Sequence, residues 1–229
     1  MDYKIIRIPT SVMNVYLVIA GGKGILIDAG IRKHSREVYA KIHKHGLEPE
    51  DIRFILLTHT HFDHVRGLKE IKEKTGAKIL VHSNEALSLS KGYTDIPLGT
   101  TTTGKVFSFL GRKVVPFIGA YPPVTPDIVI GDRYDIPDLG VPAYVIHTPG
   151  HTSGSLSLII DNEYAFVGDC MLSVFRKSIL PAFADDPATL MKSWQVLLDT
   201  GCRIFYPGHR GPISRQMLED NLEKSRHSW

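Results

Sequence analysis

The stretch Thr58-His59-Thr60-His61-Phe62-Asp63-His64 sets three imidazoles and a carboxylate within six residues of one another. Imidazole nitrogen and carboxylate oxygen suit zinc, iron or manganese. Four such groups exceed what one ion readily takes from a single turn. The spacing therefore invites two ions, with His59 and His61 on one and Asp63 and His64 on the other. A histidine-rich surface loop is the plain alternative. The apolar run 54–57 directly before the motif, and the lack of low complexity around it, argue against that alternative. Three further groups follow apolar runs in the same way: Pro149-Gly150-His151-Thr152, Gly168-Asp169 and Pro207-Gly208-His209.

Such groups need a rigid frame, and the chain supplies one. Short β-branched runs at 4–8, 12–19, 24–28, 54–57, 78–81, 127–130, 143–147, 155–160, 164–167 and 203–206 predict strands. Helical periodicity marks 34–45, 66–74, 187–199 and 214–225, with Pro187 as a first-turn proline. Two or three strands precede each helix, which favours stacked sheets with helices outside over one doubly wound sheet. Ligands at the C-terminal ends of strands would then face a common cleft. The irregular stretch 92–126, rich in Gly, Pro and Thr, reads either as a surface excursion or as a flap over the site. Runs 24–28 and 164–168 are both apolar and both lead to aspartate, Asp28 and Asp169, a faint echo of duplicated halves.

His-x-His-x-Asp-His, followed in order by Pro-Gly-His-Thr, Gly-Asp and Pro-Gly-His, resembles the signature of the metallo-β-lactamase superfamily over residues 5–220. The resemblance implies an α/β protein, a four-layer αββα sandwich of two mixed β-sheets, formed as a single domain over 1–229. It also implies a ligand set. His59, His61 and His151 would hold a first divalent ion, Asp63, His64 and His209 a second, and Asp169 both. Zinc is the expected metal, with iron or manganese as alternatives. Asp63 and Asp169 are the expected catalytic residues. Asp28-Ala29-Gly30 resembles the family's Asp-x-Gly, whose aspartate supports metal ligands by hydrogen bonding; a turn-capping role is equally open.

Two ions sharing a hydroxide would supply a nucleophile near neutral pH without a Ser or Cys triad. The expected substrate is a small ester, thioester or lactone. A phosphodiesterase of the same fold is the alternative, followed by a mononuclear iron persulfide oxygenase and, last, a non-catalytic binding module. Leu172 stands where acyl-homoserine lactonases of the superfamily carry a tyrosine, which argues against that activity. Tyr93 and Tyr121 are candidates by location for the group that protonates the leaving group. His34, His43 and His45 are expected to be solvated, and His82 and His147 to be core or turn histidines. Cys170 is expected to be buried and non-ligating.

The bulk composition excludes several classes. A net charge of +3 without dense Lys/Arg runs gives no nucleic-acid stripe. Two cysteines, Cys170 and Cys202, are too few for a disulfide framework, though one bridge stays open. No apolar run is long enough for a membrane span, and Met1-Asp2-Tyr3-Lys4 opens no secretory leader. The expectation is a cytoplasmic protein acting on a small molecule, with a homodimer left open.

Overall fold

The structure, a computed structural model, describes residues 3–11, 13–95, 97, 99–100, 119–172 and 178–226. Much of the stretch expected as a flap, residues 96, 98 and 101–118, lies outside the described residues. Strands β1 (Tyr3–Pro9), β2 (Asn14–Ala20), β3 (Lys23–Ile27), β4 (Ile52–Leu56), β5 (Lys78–His82) and β6 (Ile128–Ile130) form one sheet in that order. Strands β7 (Arg133–Asp135), β8 (Ala143–His147), β9 (Leu156–Ile160), β10 (Tyr164–Gly168), β11 (Ile204–Pro207) and β12 (Ile213–Ser214) form the other, ordered β12-β11-β10-β9-β8-β7. Both sheets are mixed. β3 pairs antiparallel with the strand before it and parallel with β4; β10 does the same with β9 and β11. The two runs that echo each other in sequence thus hold equivalent places in the two sheets.

The described helices are α1 (Ser35–Lys44), α2 (Phe62–Val65), α3 (Leu68–Thr75), α4 (Ser83–Lys91), α5 (Pro187–Asp199) and α6 (Arg215–Arg226). Asp186 accepts from Thr189 N at 3.0 Å and caps α5, with Pro187 in its first turn. None of the described helices is long and apolar enough to cross a membrane.

The side-chain period of two along a strand explains the layers. In the first sheet Leu17, Leu26, Ile55 and Ile79 turn outward to Val38 and Ile42 of α1 and Leu68 and Ile71 of α3. Their neighbours Tyr16, Val18, Ile25, Leu56 and Leu80 turn inward to meet Val145, Leu156, Leu158 and Phe166 of the second sheet. On that sheet's other face Ile159, Ala165, Val167 and Phe205 pack on Leu190, Trp194 and Leu197 of α5 and Leu218 and Leu222 of α6. The result is an αββα sandwich whose central strands are apolar on both faces.

Four elements lie outside the sequence reading. Helix α2 is a single turn within the histidine stretch, too short to show a period. β7 and β12 have three and two residues, too short to show a period. Helix α4 is missed because polar residues interrupt its apolar positions; its N-cap is His82, whose Nδ1 accepts from Asn84 N at 3.1 Å.

Phe166 fills the space between the sheets, with ring centroids 5.2 Å from Tyr16 and 5.1 Å from Tyr206. Phe166→Ala is expected to cost about 3–5 kcal/mol, lowering the denaturant midpoint without changing the m-value. A loss under ~1 kcal/mol in urea titrations would show that the sheets do not close on this ring.

Candidate metal centre

The chain beyond β4 turns sharply, and the buried carboxylate of Asp28 holds that turn. Thr58 donates its backbone N–H to Asp28 Oδ1 at 2.8 Å and its hydroxyl to Oδ2 at 2.9 Å. His64 Nδ1 lies 2.8 Å from the same Oδ2. Asp28 adopts a φ of 62°, which aspartate tolerates better than most residues. Of the two roles open for Asp28 in the sequence, it fills both: it shapes the turn and orients His64.

Each remaining imidazole with a fixed Nδ1 presents its Nε2 to the centre. The Thr58 hydroxyl, already donating to Asp28, accepts from His59 Nδ1 at 3.0 Å. His151 Nδ1 donates to the Phe183 carbonyl at 2.9 Å. Such partners fix the tautomer and aim the free nitrogen. His61 Nδ1 sits 2.9 Å from His151 Nε2. Asp169 follows β10 and meets three of the imidazoles, at 3.5 Å from His64 Nε2, 3.8 Å from His151 Nε2 and 3.3 Å from His209 Nε2. His209 Nε2 is also 3.4 Å from Asp63 Oδ2.

All seven residues picked out from sequence therefore converge. Ligand atoms lie within 4.8 Å of one another in the trios His59–His61–His151, His59–His64–Asp169 and Asp63–His64–His209. The buried atoms His59 Nε2, His64 Nε2 and Asp169 Oδ1 have no hydrogen-bond partner. Buried polar atoms without partners are rare, and three in one all-N/O cluster fit divalent metal ions.

Two glycines are dictated by closeness. A Cβ on Gly168, which has a φ of 50°, would come 2.4 Å from Thr58 Oγ1. A Cβ on Gly208 would come 2.6 Å from Asp169 Oδ1 and 2.7 Å from His64 Cε1. The Gly-Asp and Pro-Gly-His motifs thus use glycine to let two site residues approach.

The electrostatics sort the imidazoles into two kinds. Burial, helped by His64 and His61, holds His59 well below the usual histidine range. Burial, helped by His151, pulls His61 down to about 3. For His64 burial acts the same way but is outweighed by the charges of Asp28, Asp169 and Asp63, which raise it well above the ordinary value. His209 is likewise desolvated, yet Asp169 and Asp63 push it up to about 10. Burial opposes ionisation of both site carboxylates. His209 and His64 nevertheless hold Asp169 well below the carboxylate range, and His64 and His209 lower Asp63.

Other sequence expectations fare unevenly. Cys170 is fully buried and unbridged, as is Cys202, and burial next to Asp169 pushes its thiol up. His82 and His147 stack at 3.9 Å between centroids, in line with a turn and core role. His43 is exposed and His45 half-buried, but His34 is buried, against expectation: its Nε2 lies 3.2 Å from Ser11 Oγ. It sits just before α1, where the chain turns inward beneath the loop after β1. Tyr121 is buried and bonds Thr94 Oγ1 at 2.7 Å, while Tyr93 reaches Asp95 at 3.2 Å. Neither tyrosine lines the cleft over the centre, a space of about 630 Å³ whose walls include Pro9, Met13, Phe62, Leu172 and Phe183.

Glu85 is a site neighbour that sequence reasoning misses. From α4 its buried carboxylate accepts from Thr60 N at 3.2 Å and from the Thr60 hydroxyl, which bonds Thr94 Oγ1 at 2.8 Å. A buried acid flanked by exposed helix residues leaves no periodic signal.

Known proteins share this architecture. A beta-lactamase-like protein 2 homolog of Drosophila melanogaster is 29% identical over 203 residues, covering 87% of this chain and 59% of that protein. An atrochrysone carboxyl ACP thioesterase of Aspergillus fumigatus is 24% identical over 218 residues, covering 92% of this chain and 55% of that one. The chain thus spans less than two thirds of the length of these relatives. A solved metallo-beta-lactamase of Cronobacter sakazakii with a HARLDQ motif superposes with a TM-score of 0.73 at 22% identity, covering 98% of this chain and 89% of that chain. At that identity the likeness speaks for the fold alone. The sequence profile of the metallo-beta-lactamase superfamily matches residues 10–209, a span that takes in the histidine turn, Asp169 and His209, and this chain belongs to that superfamily.

Proposed function

We propose that the protein is a metal-dependent hydrolase of small esters or thioesters, working with two divalent ions, zinc foremost. The observation that carries this reading is the convergence of five histidines and two aspartates, with three unpartnered buried atoms among them, beneath an open cleft. His59, His61 and His151 would hold one ion, Asp63, His64 and His209 the other, and Asp169 both. When bound, such ions supply a water acidified from about 15.7 towards about 7 and an electrophile for the scissile oxygen.

The chain's own groups do the rest. Asp63 and Asp169 offset the metal charge and fix the spacing of the two halves of the site. Asp169, with Oδ1 by His64 and Oδ2 by His151 and His209, can accept a proton as the scissile bond is attacked and return it to the leaving group. Phe62, Leu172 and Phe183 offer apolar wall for an acyl chain. Leu172 leaves the cleft without a phenol at the place where lactonases of this fold carry one. An ester or thioester therefore fits better than a lactone, a choice in keeping with the thioesterase among the relatives.

Fully loaded protein is expected to hold two ions per chain by elemental analysis; a single iron would move the reading to a mononuclear oxygenase. Asp169→Asn is expected to weaken retention of at least one ion and lower kcat about 100-fold or more on the folded fraction. Wild-type values of both would remove Asp169 from the centre.

Proton release gives an independent check. His64 and His209 are raised above the ordinary value, so at pH 7 both carry an extra proton in the metal-free protein. His59 and His61 are depressed and do not. Zinc binding at pH 7 should therefore release about two protons per chain, read from the buffer-enthalpy dependence in calorimetry. The share released by His209 should fade as pH rises past about 10, where His209 is already neutral. A release near zero at pH 7 would show that protonated His64 and His209 do not give up their protons to the metal.

A further inference from the structure

The cleft has a second chemical feature, away from the histidines. Arg7 on β1 and Arg210, directly after His209, both line it. One side chain ties the Arg7 guanidinium to the Arg210 backbone. Asn14, buried at the start of β2, accepts from Arg7 Nε at 2.8 Å through Oδ1. Through Nδ2 it donates to the Arg210 carbonyl at 2.9 Å and the Pro207 carbonyl at 3.2 Å. Its backbone N–H donates to the Gly208 carbonyl at 2.6 Å, so Asn14 is locked on both sides.

Tying Arg7 at Nε leaves the two Nη groups of a planar, preoriented fork for another acceptor. Arg210 has a φ of 69°, a left-handed conformation that a non-glycine residue seldom adopts without a functional reason. Neither arginine forms an ion pair among the described residues. The acids of the cleft wall, Asp63, Asp169 and Asp95, are engaged elsewhere: the first two with His209, the third with the Tyr93 hydroxyl.

We propose that Arg7, its guanidinium held by the Asn14 amide oxygen, and Arg210, its backbone held by the amide nitrogen, form a subsite for an anionic group of the substrate, a carboxylate or a phosphate borne away from the bond that is cleaved. Two charged forks at one wall and the metal centre at the floor bind such a substrate at two points, which fixes its orientation. For the identity of the substrate this rests on the hydrolase reading; the anion subsite itself does not.

The test compares 4-carboxyphenyl acetate and 4-acetoxyphenyl phosphate with neutral 4-carbamoylphenyl acetate, each rate divided by its uncatalysed hydrolysis. Wild-type enzyme should favour at least one anionic ester. In Arg7→Met/Arg210→Met the anionic-to-neutral ratio of kcat/KM should fall about 10- to 100-fold, the worth of one or two charge-assisted hydrogen bonds. The ester whose ratio falls further identifies carboxylate or phosphate as the group read. An unchanged ratio overturns the subsite. Should none of the esters be cleaved, the ester-hydrolase reading fails, and calorimetric binding of benzoate and phenyl phosphate to the full chain decides the subsite. A loss of about tenfold or more in affinity in the double variant supports it, and equal affinities overturn it.

Discussion

The centre depends first on a buried negative charge. Asp28 sits 1% exposed at the end of β3, and a carboxylate there is tolerable only if donors surround it. Thr58 N–H, Thr58 O–H and His64 Nδ1 supply them. The demand runs both ways: satisfying Asp28 forces the chain after β4 into the one turn that brings His59, Thr60 and His61 round to face the second sheet. Backbone bonds from Asp28 N to Leu56 O and from Ala29 N to His64 O, both 2.8 Å, close the same turn from the other side. The histidines are thus placed by the solvation needs of a group that is not itself among the candidate ligands.

The other half of the centre arrives through main-chain stitching between the sheets. Leu156 N donates to Thr58 O at 2.8 Å and Asn14 N to Gly208 O at 2.6 Å, while within the second sheet Gly208 N donates to Gly168 O at 2.8 Å. Tyr16 adds its hydroxyl to the Pro207 carbonyl at 2.8 Å. These bonds lie at the edge where Gly150-His151, Gly168-Asp169 and Pro207-Gly208-His209 emerge. Inter-sheet packing elsewhere is apolar and non-directional; along this edge it is directional, which gives a site the precision that hydrophobic contact alone does not.

Much of this was legible in the residues. The seven site residues stood out because metal chemistry needs rare side chains at short spacing, and because each group follows a strand whose apolar run is unmistakable. The long strands were legible for the same reason, since burial on both faces leaves a continuous β-branched run. What escaped was short or aperiodic. β7, β12 and α2 carry too few residues for a period, polar residues break that of α4, and His34 reads as solvated because its burial depends on Ser11, 23 positions away. Glu85 and Asn14 are ordinary polar residues in sequence; only the fold places one under Thr60 and the other between two arginines.

The order of strands has one more consequence. Every strand of the first sheet lies within residues 3–130 and every strand of the second within 133–214. A chain emerging from the ribosome can thus complete its first sheet before the second exists. His59, His61, Asp63 and His64 belong to the first half, whereas His151, Asp169 and His209 belong to the second. The full constellation is absent until residue 209 has been made and the two sheets have docked. Any metal capture by the complete set would then be a late event that reports on assembly, and a nascent chain displays an open-sided histidine turn for most of its synthesis.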